Sequence, residues 1–216
     1  MDIIADNTQD LPQQIPIFPL SNVLLLPRAQ LPLNIFESKY LAMVNDAFQN
    51  GRIIGMVQPC QKADCGPSDI YMTGCAGRIT QMEDPGNGNY FITLTGVSRF
   101  DIIKEVDRSK PYRQIIADWA PYKNDLKPVI DPCFDTTEFL DILERYFIAQ
   151  NMKCDKWDEM KDIPAEKLVA TLAMVCPFSA QEKQAILEAP CFAQRSELLI
   201  TLMEMSLQQH ASAAQH

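Results

Sequence analysis

The sequence predicts an α+β protein: a compact β-barrel or rolled sheet with one inserted helix, followed by a C-terminal helical bundle. Two changes of pattern carry this. From Ile15 to about Tyr122, short apolar runs with β-branched residues are cut by Gly, Pro and Asn; from Phe134 onward, apolar residues recur at spacings of three and four. Length sets the frame, since 216 residues with 47% hydrophobic content can bury a core as one domain with a helical annex or as two small domains.

Taken in order, "IPIFP" is a first strand, "LSNVLLLPRAQ" a loop and "LPLNIF" a second strand. "ESKYLAMVNDAFQNG" then places Tyr40, Leu41, Met43, Val44, Ala47 and Phe48 on one helical face and stops at Asn50 and Gly51. "RIIGMVQP" is a short buried strand, Gln58 to Ser68 a loop, and "IYMTGCAGRITQMED" a longer strand whose two glycines suggest a bend or a bulge. "PGNGN" is a tight turn, because Gly and Asn accept positive φ. "YFITLTGVSRFDIIKEV" gives two strand halves joined at Gly96, and "YRQIIADWAPY" closes the β region. Phe18, Leu20, Ile35 and Phe36 are expected to fill the barrel core.

Asp125 to Pro132, with two prolines and two aspartates, is expected to link the β part to the helices. "DTTE" and "SAQE" are capping-box sequences, in which the first side chain accepts from a free amide and the Glu reaches back. Pro164 fits just inside a further helix start. The four helices predicted are 135–150, 164–175, 179–188 and 195–209. The organisation is thus a β domain over 13–124, a four-helix annex over 133–209 and flexible tails at 1–12 and 210–216.

Nineteen basic against 28 acidic residues give a net charge of −9, and no Lys/Arg block is dense enough to track a phosphate backbone. That speaks against nucleic acid and anionic membranes as partners. "MDIIADNTQDLPQQ" has no basic n-region and no sustained apolar stretch, so a cytoplasmic protein is expected. The longest apolar run, Leu168 to Phe178, is far short of the roughly 18 residues a membrane span needs. Seven cysteines without a secretory signal favour buried, reduced thiols, and Cys60, Cys65 and Cys75 lack the spacing and the nearby His that structural zinc uses. No metal or cofactor is expected.

The only histidines, His210 and His216, lie in the terminal "QQHASAAQH", a poor place to hold a catalytic imidazole. There is no Gly-Lys dipeptide and hence no phosphate-binding P-loop, and "GNG" joins two strands instead of opening a helix. Carboxylate groupings at Glu83 with Asp84, and at Asp155, Asp158 and Glu159, are the remaining catalytic option. Solvated surface accounts for them more simply. A hydrolase is therefore a minor alternative.

The segments "IPIFPLSNVLLLPRAQLPLNIFESKYLAMV", "GRIIGMVQP", "GCAGRITQ", "GVSRFDI", "PYRQIIADW" and "LAMVCPFSAQEKQAILEAP" occur in an order and spacing that resembles the N-terminal substrate-binding domain of Lon proteases. The chain as a whole is similar to stand-alone bacterial Lon N-domain proteins, over roughly residues 13 to 207. The resemblance implies a PUA-like pseudo β-barrel followed by a helical bundle. It also implies a non-catalytic module that binds unfolded or tagged protein segments, as an adaptor or holdase working with a separate protease or chaperone. The ATPase and peptidase parts of Lon find no counterpart here, so no enzyme activity is implied. PUA-like folds also occur in RNA-binding proteins, an alternative that the acidic charge opposes.

Candidate peptide-binding residues follow. Val23, Leu24, Leu25, Leu26, Pro27 and Arg28 form an apolar loop that is either a core plug or an exposed patch for an apolar peptide. Glu37 precedes the first helix, where it suits the helix dipole or grips substrate. Arg78 in "AGRI" and Arg99 in "GVSRF" each follow a Gly closely; each either pairs with carboxylates and carbonyls between strands or contacts the ligand.

Overall fold

The computed structural model describes residues 11–60, 69–106, 109–127, 134–153 and 157–213. Six strands form one mixed sheet: β1 (Gln14–Pro19), β2 (Gln30–Ile35), β3 (Ile53–Val57), β4 (Thr73–Glu83), β5 (Tyr90–Glu105) and β6 (Gln114–Asp118). β1 pairs in parallel with β3 and antiparallel with β6, while β4 links β3 to β5 and the C-terminal half of β5 returns to β6. These five strands close a barrel. β2 lies outside it, antiparallel to the first half of β5 from Gln30↔Thr95 to Ile35↔Tyr90.

The two predicted halves of β5 are one continuous 16-residue strand, and they differ in partner, not in direction. Two register shifts in β4, at Ala76/Gly77 and Ile79/Gln81, bend the sheet so that it serves both the barrel and the β2 extension.

β3 is buried at every position, and its period of two explains why. Ile53 and Val57 join the cluster inside the barrel with Ile15, Ile17, Phe100, Ile115 and Trp119. Ile54 and Met56 join a second, larger cluster that also contains Phe139, Leu143, Tyr146, Leu168 and Ile186 from the helices. The helices and the sheet therefore share one core. Helix α1 (Ser38–Gln49) buries Met43, Val44 and Ala47 in the same cluster, which also takes Ile35, Ile92 and Leu94. Phe18 and Ile35 are buried and Leu20 is half-buried, but Phe36 is 65% exposed and fills no core.

The helical part contains α2 (Thr136–Ala149), α3 (Trp157–Met160), α4 (Ala165–Val175), α5 (Ala180–Glu188) and α6 (Phe192–Ala213). Asp135 caps α2 by accepting from the amides of Thr137 and Glu138, and Ser179 with Glu182 forms the complete capping box of α5. Pro164 is the N-cap of α4 and so lies just outside the helix.

Several expectations are corrected. α3 was not foreseen, because a single turn carries no period. The end of the last predicted strand is a 3-10 turn, Ala120–Leu126, which Pro121 opens. α6 runs through Ala213, so His210 is helical and hydrogen-bonds Gln150, while His216 lies outside the described residues. The N-terminal tail is shorter than expected: Leu11 is buried and Trp119 donates to the carbonyl of Pro12, with residues 1–10 outside the described range. The linker beyond Lys127 likewise falls outside it.

Buried polar contacts seat the annex on the barrel. Gln58 donates to Gln184 Oε1 at 3.2 Å and to the Ala180 carbonyl, and Gln184 donates to the Thr73 carbonyl at 3.1 Å. Lys183, only 6% exposed, bonds the carbonyls of Asn22 and Met174, which ties α5 to the loop after β1 and to the end of α4. Burial lowers its pKa.

The cysteines do not all conform to the reduced-thiol expectation: Cys60 is disulfide-bonded. Cys75 and Cys176 are buried free thiols whose pKa burial raises, that of Cys176 to about 12, and Cys191 is free and exposed. Cys65 lies outside the described residues, among which no group of three potential metal ligands occurs.

Candidate functional site

The leucine loop is a plug. Leu24, Leu25 and Leu26 are 2%, 1% and 0% exposed, Pro27 is buried and Val23 packs partly against the same cluster. The exposed-patch reading is thereby excluded. The loop is fixed by its backbone as well, with the Arg28 amide donating to the Gly96 carbonyl and the Gly96 amide to the Ala29 carbonyl, both at 2.8 Å.

Arg99 is also structural. It is 3% exposed and grips Asp125 through Nε and Nη2, both at 2.8 Å, while Asp125 also accepts from the Arg99 backbone amide. Its Nη1 donates to the carbonyls of Leu187 and Ala189, and Nη2 to that of Pro190, so the guanidinium caps the C-terminal end of α5. Burial opposes this charge, but Asp125 outweighs burial and the pKa of Arg99 is raised. The ring of Tyr122 stacks 4.6 Å from the guanidinium.

Glu37 is exposed and pairs with Lys39 at 3.0 Å; it is the N-cap of α1 but makes no side-chain cap bond. Glu83 is exposed, and Asp84 accepts from the Gly86 amide to form the hairpin turn. Asp158 pairs with Lys161 on the surface, and Asp155 lies outside the described residues. Glu83, Asp84 and Asp158 are thus placed as surface and turn residues.

Arg28 and Arg78 do come together. They line a cleft of about 500 Å³ with Gln30, Thr80, Thr95 and Gly96, and Asp125 and Leu126 form another wall. Cross-strand register explains the convergence: Gln30 pairs with Thr95, and Thr95 with Arg78, so the three side chains share one face. The next rows are Pro32, Thr93 and Gln81, then Asn34, Phe91 and Glu83. Those residues line a second, shallower depression on the same face.

This outer face of β2–β5–β4 is the one the helices leave open. Thr80 and Thr95 share a hydroxyl hydrogen bond of 3.0 Å and Thr93 donates to Gln81 Oε1 at 3.0 Å, which holds the polar rows in place. Phe91 at the far end is 45% exposed. Beyond β2 the sheet has an unpaired edge among the described residues, and Pro32 on that strand suits an edge position. Arg28 and Arg78 were legible as candidates. Gln30, Thr80 and Thr95 were missed, although the alternation of "QLPLNI", exposed at Gln30, Pro32 and Asn34, was the available signal.

A barrel with one appended strand, helices on its back and an open polar sheet face in front defines an α+β fold of the PUA-like type. The chain belongs to the family described as the ATP-dependent protease La (LON) substrate-binding domain, whose model matches residues 14–205. It is 27% identical over 213 residues to Lon protease 2 of Myxococcus xanthus, and 28% identical over 214 residues to Lon protease of Flavobacterium johnsoniae. The matches take in 91% and 94% of this chain but 24% and 25% of those proteases, so the chain spans about a quarter of their length.

Among solved structures, a Lon N-terminal domain protein from Xanthomonas campestris superposes with a TM-score of 0.58 at 23% identity, covering 87% of this chain and 98% of that one. The N-terminal domain of Lon protease from Mycobacterium avium complex gives 0.59 at 13% identity, covering 88% and 98%. These likenesses establish the fold. The matched region is the non-catalytic, substrate-binding part of Lon, and no described helix is long and apolar enough to cross a membrane.

Proposed function

We propose that the protein is a non-catalytic module of the cytoplasm that holds unfolded or tagged protein segments and presents them to a separate protease or chaperone as an adaptor or holdase. The observation that carries this reading is the open β2–β5–β4 face with its unpaired edge at β2. An extended segment added beside β2 would gain backbone hydrogen bonds along Gln30–Ile35. Its alternate side chains would lie against the rows that end in Phe91 and in the arginine cleft.

Because Leu24 to Leu26 are buried, the reading assigns binding to this sheet face and not to the leucine loop. The loop's part in binding is indirect, since it delivers Arg28 to the cleft and holds it there through Gly96.

Hydrogen exchange with and without unfolded casein tests the reading. Binding should slow amide exchange on Gln30–Ile35 and vary little with salt, because an added strand is held by backbone and apolar contacts. Protection confined to α6, or none anywhere, would remove the proposal; a steep fall of affinity with salt together with RNA binding would favour the nucleic-acid alternative instead.

A further inference from the structure

We propose that the cleft between Arg28 and Arg78 is a subsite for a carboxylate carried by an extended protein segment, either its C-terminal carboxylate or an internal Asp or Glu side chain. This rests on the protein-binding reading and names the chemistry that the segment must bring. The chain carries a net charge of −9, yet two arginines and one aspartate line this cleft. Arg28 and Arg78 line the cleft, and Asp125 in its wall is already engaged by the buried Arg99.

With Arg28 paired to Glu166 and Asp125 to Arg99, Arg78 is left as the cleft-lining charge without a partner among the described residues.

Arg78 sharpens the case. It is half-buried in the cleft, and its side chain has no hydrogen bond or ion pair among the described residues, unlike that of its sequence counterpart Arg99. Arg28 is held in a left-handed conformation at φ 64°, which a non-glycine residue adopts at a cost, and Glu166 grips its Nη1. That grip fixes the guanidinium and leaves its other donors without partners among the described residues. Gln30, Thr80 and Thr95 supply the polar lining between the two arginines. Two guanidinium forks over a short polar floor match the planar geometry of a carboxylate, and about 500 Å³ admits a chain end or one side chain but not a nucleic-acid strand.

The test measures binding of an uncharged ten-residue apolar peptide in three forms: free C-terminal acid, C-terminal amide, and amide with one internal Glu. The proteins are the natural chain and Arg78→Gln, whose fold is checked by its thermal midpoint. The free acid or the Glu peptide should bind at least about tenfold more tightly than the plain amide, and Arg78→Gln should abolish that preference. Whichever acid shows the gain identifies the source of the carboxylate. Equal binding of all three forms overturns the subsite while leaving the protein-binding reading intact.

A second probe covers the case in which no peptide binds. Titration of N-acetylglycine followed on the arginine Nε–H resonances should shift Arg78 and Arg28. Shifts there with no peptide binding keep the subsite and remove the protein-binding reading; an absence of shifts, or inorganic phosphate competing tenfold better than N-acetylglycine, overturns the carboxylate assignment.

Discussion

Gly77 and Gly96 face each other across β4 and β5, and the leucine loop lies on the pair. A Cβ on Gly96 would stand 2.0 Å from the carbonyl oxygen of Leu26, and one on Gly77 would stand 2.8 Å from Cδ2 of Leu25 and 2.9 Å from Cβ of Leu94. Neither glycine has positive φ, so what each supplies is space. The loop can seat its leucines between sheet and helices only because two facing residues have no side chains.

Gly96→Ala should therefore be severe and Gly77→Ala milder. The first meets backbone that is itself hydrogen-bonded at Arg28 and Ala29; the second meets the end of a leucine that can turn aside. Losses of about 3 kcal/mol or more and about 1 to 2 kcal/mol are expected from overpacking. Urea midpoints at unchanged m-value measure both. A Gly96→Ala variant within ~0.5 kcal/mol of the natural protein would contradict the tight seating.

Each of the six described strands was legible in the sequence, because period two and turn residues are local signals. Which residues share the site was not legible, because that depends on packing between distant elements. Arg78 and Arg99 sit in near-identical surroundings, "AGRI" and "GVSRF", and no local rule separates them. The carbonyls of Leu187, Ala189 and Pro190, some ninety residues away, make Arg99 an anchor; Arg78 meets no such partner and stays at the cleft. Leu24 to Leu26 pose the same problem, since three leucines in a loop look alike whether or not helices later cover them. The sheet face was more accessible to inference: its alternation is local, but its polar rows become a surface only once β2, β5 and β4 are in register.

Leu25→Asp distinguishes a plug from a binding patch directly. A carboxylate at a position 1% exposed has no partner in an apolar cluster, and a loss on the order of 3 to 5 kcal/mol is expected. Chemical denaturation reads the loss. Unchanged stability with lost client binding would return the site to the loop.

Removing Asp125 should cost more than an ordinary surface ion pair. Its partner Arg99 is 3% exposed, and without the carboxylate that charge keeps only the three carbonyls at the end of α5 and the face of Tyr122. Asp125→Ala is expected to destabilise by about 3 to 5 kcal/mol. Arg99→Lys should also destabilise, since one ammonium cannot span both carboxylate oxygens and the helix carbonyls. A calorimetric scan of either variant that overlays the natural protein would show that the pair does not hold the annex to the barrel.

The pairing of Asp46 with Tyr112 makes stability depend on acid pH. Tyr112 donates to Asp46 Oδ2 at 2.6 Å and Lys110 donates to the same oxygen at 2.9 Å, which lowers the carboxyl pKa, the tyrosine contributing most. A carboxylate with a depressed folded-state pKa stabilises fully above its unfolded value, about 3.9, and this contribution is lost as pH falls through the folded value. The phenol shifts the opposite way: burial first, then the Asp46 charge, raises its pKa, so it stays a donor across the whole acid range. Tyr112→Phe should move the Asp46 titration midpoint up toward the ordinary carboxylate value and reduce the loss of stability below about pH 4, whereas Lys110→Gln, whose ammonium is half exposed, should do less. Carboxyl NMR titration of the three proteins decides it. An Asp46 midpoint near 3.9 in the natural chain, or one unmoved by Tyr112→Phe, would show that the phenol does not hold the carboxylate ionised.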